Sequence, residues 1–150
     1  MKKLIKTAPD AKGDMLNIYW QNSLVGCPAL PSFLRVYAEI IENGFANGSV
    51  TWTNKNRVIW AENNNKVVGG ITYEYYEESK TGWIVLSFTE PEYRGRRINE
   101  IIHYSLEEDL KKLGGVKISS LVHINNESRL KSADRVGLKP QFYRMNKPLV

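Results

Sequence analysis

Apolar residues recur along this chain with two different periods, and the changes of period mark out its elements. The run Trp83, Ile84, Val85, Leu86 and Phe88 is β-branched or aromatic, the chemistry of a buried strand, and Pro91 ends it because proline cannot donate to a ladder. The period then lengthens. Ile98, Ile101, Ile102, Leu106, Leu110 and Leu113 return at three- and four-residue steps, which predicts one face of a helix closed by Gly114. Residues 94–99 are therefore the turn that opens this helix.

The same test applied upstream predicts a short opening strand at Lys2–Lys6, then, after Pro9 and Asp10, a helix with Met15, Ile18 and Tyr19 on one side. A further helix starts at Pro31, carries Phe33, Val36, Tyr37, Ile40 and Ile41 as a core stripe, and stops at Gly44. Val58–Ala61 and Lys66–Tyr76 read as strands joined by the polar turn Glu62–Asn65, and Ser79–Gly82 reverses the chain into the strand at Trp83. These three strands make an antiparallel meander. Downstream, the alternation from Val116 to Val122 predicts a strand, and a strand, helix and returning strand form a right-handed crossover, so it should run parallel to the strand at Trp83. Asn125 or Asn126 caps a short helix through Arg129, Leu130 and Ala133 to Gly137, and Gln141–Met145 is a last strand. The rings of Trp52, Trp60, Tyr73, Tyr75, Tyr76 and Trp83 are expected mainly in the core or on the sheet.

A chain of 150 residues with 42% hydrophobic and 25% charged residues is expected to be one domain, 1–150, with one sizeable core. Its apolar runs are too short for a membrane span, and residues 1–14 lack the apolar stretch of a secretory signal, so a cytoplasmic protein with no membrane partner is expected. Cys27 stands alone, with neither a disulfide partner nor a metal-ligand pattern, and no metal is expected. Charge is placed unevenly. Residues 1–90 hold nine Lys or Arg against nine Asp or Glu, whereas residues 91–150 hold twelve against seven. The excess accompanies the turn at 94–99, where Arg94, Arg96 and Arg97 surround Gly95 at a helix N-terminus. Free backbone N–H groups, the positive end of the helix dipole and guanidinium forks all favour a phosphate there.

The run PEYRGRRI at 91–98 resembles the central motif of the GNAT superfamily of acyl-CoA-dependent N-acyltransferases, commonly P-x-Y-R-G-x-G-I-G, which wraps the pyrophosphate of coenzyme A. Arg94, Gly95 and Ile98 match the motif; Arg97 and Asn99 stand where small residues bring the backbone close to phosphate. A second segment is similar to the family's N-x-x-A-x-x-x-Y-x-x-x-G-F. Asn126 and Gly137 fall on it, while Arg129, Ala133 and Leu138 replace its Ala, Tyr and Phe. In many relatives that tyrosine is proposed as the acid for the departing thiolate. The resemblance spans the element order of essentially the whole chain. It implies an α+β fold whose mixed, mostly antiparallel sheet of about six or seven strands has a parallel pair at its centre and about four flanking helices.

The resemblance further implies acetyl-CoA as co-substrate and direct attack by an amine of a small molecule or protein on its thioester. Backbone N–H groups at Ser87, Phe88 and Thr89 would serve the carbonyl and the pantetheine arm. Arg94, Gly95, Arg96, Arg97, Ile98 and Asn99 would hold the pyrophosphate, and Asn126 the pantetheine arm, with helix capping as the alternative for Asn99 and Asn126. A base must take the ammonium proton, and the candidates are Glu74 and His123, the latter because imidazole titrates at about 6.5 when unperturbed. The family's acceptor pocket is built by the first two helices and the meander, which nominates Gln21–Pro31 as a wall. Two other functions stay open: a GNAT-fold module that binds without turnover, suggested by Arg97, Asn99 and the missing tyrosine, and a basic nucleic-acid-binding domain. The last has no groove-reading motif behind it, so nucleic acid is not the expected partner. A homodimer is compatible with the sequence.

Overall fold

The computed structural model describes residues 2–45 and 55–149; Trp52 lies outside them. Six strands form one sheet in chain order: β1 (Lys3–Pro9), β2 (Met15–Gln21), β3 (Arg57–Asn63), β4 (Lys66–Tyr76), β5 (Thr81–Thr89) and β6 (Lys117–Ser120). Neighbours are antiparallel except β5 and β6, which run parallel across the crossover helix. Helices α1 (Leu30–Glu42), α2 (Ile98–Lys112) and α3 (Glu127–Arg135) are the three found among the described residues. The architecture is thus the expected mixed one. Its parallel pair, however, lies at one edge, because no described strand follows β6, and Gln141–Met145 is not a strand.

The other departure is Met15–Gln21, a strand and not the expected helix. Asp10 decides this locally. Its Oδ1 accepts from the backbone N–H of Lys12 (2.9 Å) and Asp14 (3.0 Å), and Gly13 takes φ +89°, so the chain reverses into a hairpin before a helical turn can form. Leu16, Ile18 and Trp20 then alternate toward one core and Tyr19 toward the other. Segment Gln21–Pro31 closes on itself, as Gln21 Nε2 donates to the carbonyls of Ser23 and Val25 (both 2.8 Å), and Leu24, Cys27 and Ala29 are buried.

Each face of the sheet carries one hydrophobic layer. On one face α2 lays Ile98, Ile102, Leu106 and Leu110 over Ile59, Val68, Ile71, Tyr73 and Ile84. On the other, α1 sets Phe33 against Val58, Trp60, Leu86 and Phe88, with the Phe33 and Phe88 rings edge to face at 4.9 Å. Glycine makes the approach of α2 close. A Cβ on Gly82 would sit 2.3 Å from a Leu110 methyl, and one on Gly69 would sit 3.1 Å from Ile98, so both ends of α2 rest on bare backbone. A polar bolt adds to this: Asp109 accepts from Tyr73 Oη (2.6 Å) and Arg57 Nε (3.1 Å). The N-terminus of α2 is therefore held firmly over the end of β5.

Candidate functional site

Strand β5 pairs with β4 along its whole length, but the register slips between Thr72 and Tyr73, leaving Val85 as an extra residue. Bulges bend and twist the strand that carries them. Pairing of β5 with β6 stops at this point: it runs from Thr81 to Ile84 against Lys117 to Ser120 and no further. Beyond it the strands part. The gap opens into a cavity of about 1060 Å³ walled by Ile84–Thr89 of β5, Ser120–His123, the turn after β5, the first turn of α2, one side of α1 and one side of α3.

At the mouth, Pro91–Tyr93 forms a single 3₁₀ turn, Arg94 is extended, Gly95 takes φ +77°, and Arg97 takes φ +62° as the residue before α2. No side chain caps α2, so its first N–H groups face outward beside the cavity. The N-cap is Arg97 and not Asn99, which lies in the first turn. Arg97 adopts the left-handed backbone that explains why small residues suit this position; for a non-glycine residue it costs about 1–2 kcal/mol. Arg94, Gly95, Arg97, Ile98 and Asn99 all line the cavity, with the Arg94 and Arg97 side chains exposed.

Arg96 does not join them. Its guanidinium turns to Asp14 Oδ2 (2.8 Å) and Asp10 Oδ2 (3.5 Å) and lies 4.6 Å from the Tyr93 ring, while its carbonyl accepts from the N–H of Ala11 (2.9 Å). Burial raises the Asp10 pKa, yet the N–H groups of Lys12 and Asp14 and the Arg96 charge outweigh it and hold the carboxyl below its ordinary value. Arg96 is a strut between the β1–β2 hairpin and the turn, so its place as a phosphate ligand is corrected. A similar brace joins Arg35 of α1 to Glu90 (2.8 Å).

Along the walls, Ser87, Phe88 and Thr89 follow the bulge on the stretch of β5 that β6 leaves open. Asn126 lines the opposite side and caps α3, its Oδ1 accepting from Arg129 N (3.3 Å). His123 also faces the cavity. Its Nδ1 accepts from the N–H of Asn125 (3.1 Å), so the proton of the neutral ring sits on Nε2 and the ring offers a donor. Glu74 is elsewhere: 7% exposed on β4, it accepts from Tyr76 Oη (2.8 Å) and is not part of the wall. Segment Gln21–Pro31 forms none of the wall either, for the self-closing reason given above.

Two groups of residues escaped the sequence. Tyr37 and Ile40 of α1 line the cavity although their spacing reads only as core, and Arg35 and Asn43, the residue that caps the helix, lie beside them. Arg129, standing where the resemblance expects Ala, brings a guanidinium between α3 and α2; Nη1 donates to Ser132 Oγ (3.1 Å), Nη2 is buried without a partner, and burial lowers its pKa. The neighbouring His103, 3% exposed on α2, is pushed down to about 4 by burial and then by the Arg129 charge. It is neutral at neutral pH.

The sequence matches the acetyltransferase (GNAT) family over residues 14–137. No curated protein matches it in sequence. Among solved structures, an aminoglycoside acetyltransferase from an uncultured soil metagenomic sample, in complex with trehalose, aligns over 90% of this chain and 97% of its own at 15% identity and TM-score 0.68. A ribosomal-protein-alanine N-acetyltransferase from Brucella melitensis biovar Abortus 2308 aligns over 89% and 99% at 13% identity and TM-score 0.68. An aminoglycoside N-acetyltransferase in complex with CoA aligns over 87% and 99% at 13% identity and TM-score 0.64. At such identities the likeness is one of fold.

Proposed function

This chain belongs to the GNAT acetyltransferase family, and from that premise we propose that it moves the acetyl group of acetyl-CoA to a primary amine of a small molecule or protein by direct attack on the thioester. One observation carries the proposal: the parting of β5 from β6 at Ile84 and Ser120, directly in line with an uncapped helix N-terminus flanked by two exposed arginines. The relative bound to CoA supports the same donor.

In this scheme the diphosphate lies against the N–H groups of Ile98 and Asn99, with Arg94 and Arg97 supplying charge. The pantetheine arm enters the gap between the strands, where unpaired β5 backbone at Ser87–Thr89 stands ready to bond it and to stabilise the carbonyl oxygen as charge develops. Asn126 flanks the arm. His123 takes the acyl end, its Nε2–H directed to the departing sulfur, a donor role that Ala133 cannot fill. Glu74 takes no part, because its buried carboxylate accepts from Tyr76 and does not line the cavity. The carboxylates on the described wall are Glu39, paired to Arg35 at 3.6 Å, and Glu100, so the ammonium loses its proton to water before it attacks.

Free-thiol release from acetyl-CoA across a panel of polyamines, aminoglycosides and N-terminal peptides tests the proposal. Turnover on at least one amine, reduced on the order of a hundredfold in kcat by His123→Ala with little change in the KM for acetyl-CoA, is the expected result. Tight acetyl-CoA binding with no turnover on any amine would instead favour a binding module, the reading to which Ala133 lends weight.

A further inference from the structure

The cavity has two walls of unlike chemistry. Along the start of α2 and one side of α3 stand Arg94, Arg97, Arg129, Lys131 and Arg135, with Glu100 as the carboxylate among them. None of these five cations enters an ion pair among the described residues. The α1 wall is different. It presents Val36, Tyr37, Ile40 and Phe45, and its charges are already matched, because Arg35 reaches Glu90 at 2.8 Å and Glu39 at 3.6 Å. Phe45 lies against the His123 ring, their centroids 5.5 Å apart. Residues 46–54, which follow Phe45, include no acidic or basic residue, so they bring no charged side chain to either wall.

Unlike walls suit unlike ligands. The phosphates of acetyl-CoA find their counter-charge on the basic wall, which leaves neither wall with negative charge to spare for an acceptor. A polyamine or an aminoglycoside carries several ammonium groups, and each one taken out of water without a carboxylate opposite it is costly. A lone ammonium is a smaller demand, because it must give up its proton before it attacks. An apolar body then gains from the α1 wall, and ring faces attract the ammonium on its way in.

We propose that the acceptor is a small monoamine on an apolar or aromatic body, lodged against α1 with its nitrogen between Phe45 and the thioester, and that polycationic amines are poor substrates. This rests on the acetyl transfer proposed above. The neutral nitrogen bonds to the thioester carbon as the carbon–sulfur bond breaks; the amine has released its proton to water, and the departing sulfur takes one from His123. Selection comes from what the α1 wall lacks, a carboxylate not already paired, as much as from what it offers.

Calorimetry of phenethylamine, hexylamine and spermidine on the protein loaded with CoA, paired with free-thiol release at saturating acetyl-CoA, is the test. A monoamine is expected to bind and to exceed spermidine in kcat/KM on the order of tenfold. Phe45→Leu keeps an apolar side chain and removes the ring, so it should raise the KM for phenethylamine severalfold with kcat little changed. Asn43→Asp, isosteric and at an exposed position beside the α1 wall, should narrow the gap by favouring spermidine. Spermidine equal to or better than both monoamines, no binding of either monoamine, or Phe45→Leu without effect on phenethylamine overturns the proposal. Binding of a monoamine with no thiol release supports this pocket and overturns the acetyltransferase reading instead.

Discussion

The two sides of β5 are built on opposite plans. Toward β4 the strand is bonded from end to end, backed by α2 through Gly69 and Gly82 and bolted through Asp109, Tyr73 and Arg57. Toward β6 it is bonded over Thr81–Ile84 and then left free. A cleft of this kind withholds backbone hydrogen bonds, and unmade bonds away from water are costly. The chain sustains the open side because the closed side over-determines where β5 and the start of α2 must lie. The lesson concerns placement: the groups that would meet a ligand are exposed, whereas the groups that aim them are buried.

The contrast can be broken first by cavities. Leu106→Ala, at a fully buried position over the closed side, should cost about 2–5 kcal/mol in chemical denaturation, while Ile124→Ala beyond β6 should stay within about 0.5 kcal/mol. Comparable losses at the two positions would erase the distinction. Acid is the second probe, because His103 is neutral when folded and titrates at about 4, below its unfolded value of about 6.5. Between these values the unfolded chain binds more protons, so stability should fall as pH drops from about 6.5 to about 4, by roughly 3 kcal/mol. His103→Leu should flatten that stretch of the pH profile; an unchanged slope would place the titration elsewhere.

The arginines sharpen the contrast at smaller scale. Arg94→Ala should weaken acetyl-CoA binding on the order of tenfold by calorimetry with little change in melting, whereas Arg96→Met should lower stability by about 1–3 kcal/mol by leaving buried Asp10 without its cation. The reverse pattern would mean that the strut and the ligand group are exchanged. The smallest effect belongs to Arg97→Gly. Relief of the left-handed backbone is offset by the greater freedom of glycine in the unfolded chain, so a gain of up to about 1 kcal/mol is expected from melting curves. A loss would show that the Arg97 side chain contributes more than its backbone costs.

Much of this was legible in the residues themselves. The helical spacing from Ile98 to Leu113 and the buried run from Trp83 to Phe88 are long and unambiguous, and together they place the turn that lines the cleft, along with its parallel partner strand. Met15, Ile18 and Tyr19 misled because their three- and four-residue spacing fits one helical face, whereas in the strand Ile18 and Tyr19 point to opposite cores; the deciding signal was the Asp10–Asp14 turn, a local bonding pattern that hydrophobicity does not see. Arg96 and Arg94 are chemically alike, and only a partner far off in sequence, Asp10 or Asp14, makes one of them structural. The same holds for Glu74, whose neighbour Tyr76 claims it. Gln141–Met145 has the composition of a strand but joins none of the described strands, and pairing cannot be read from composition.

An amide NMR titration with acetyl-CoA tests the cleft most directly. Shifts concentrated at Ser87–Thr89, Ile98–Asn99 and Asn126, with β1–β3 unmoved, are expected. Shifts confined to other surfaces, or none at millimolar ligand, would contradict the assignment of the parted strands as the acyl-donor site.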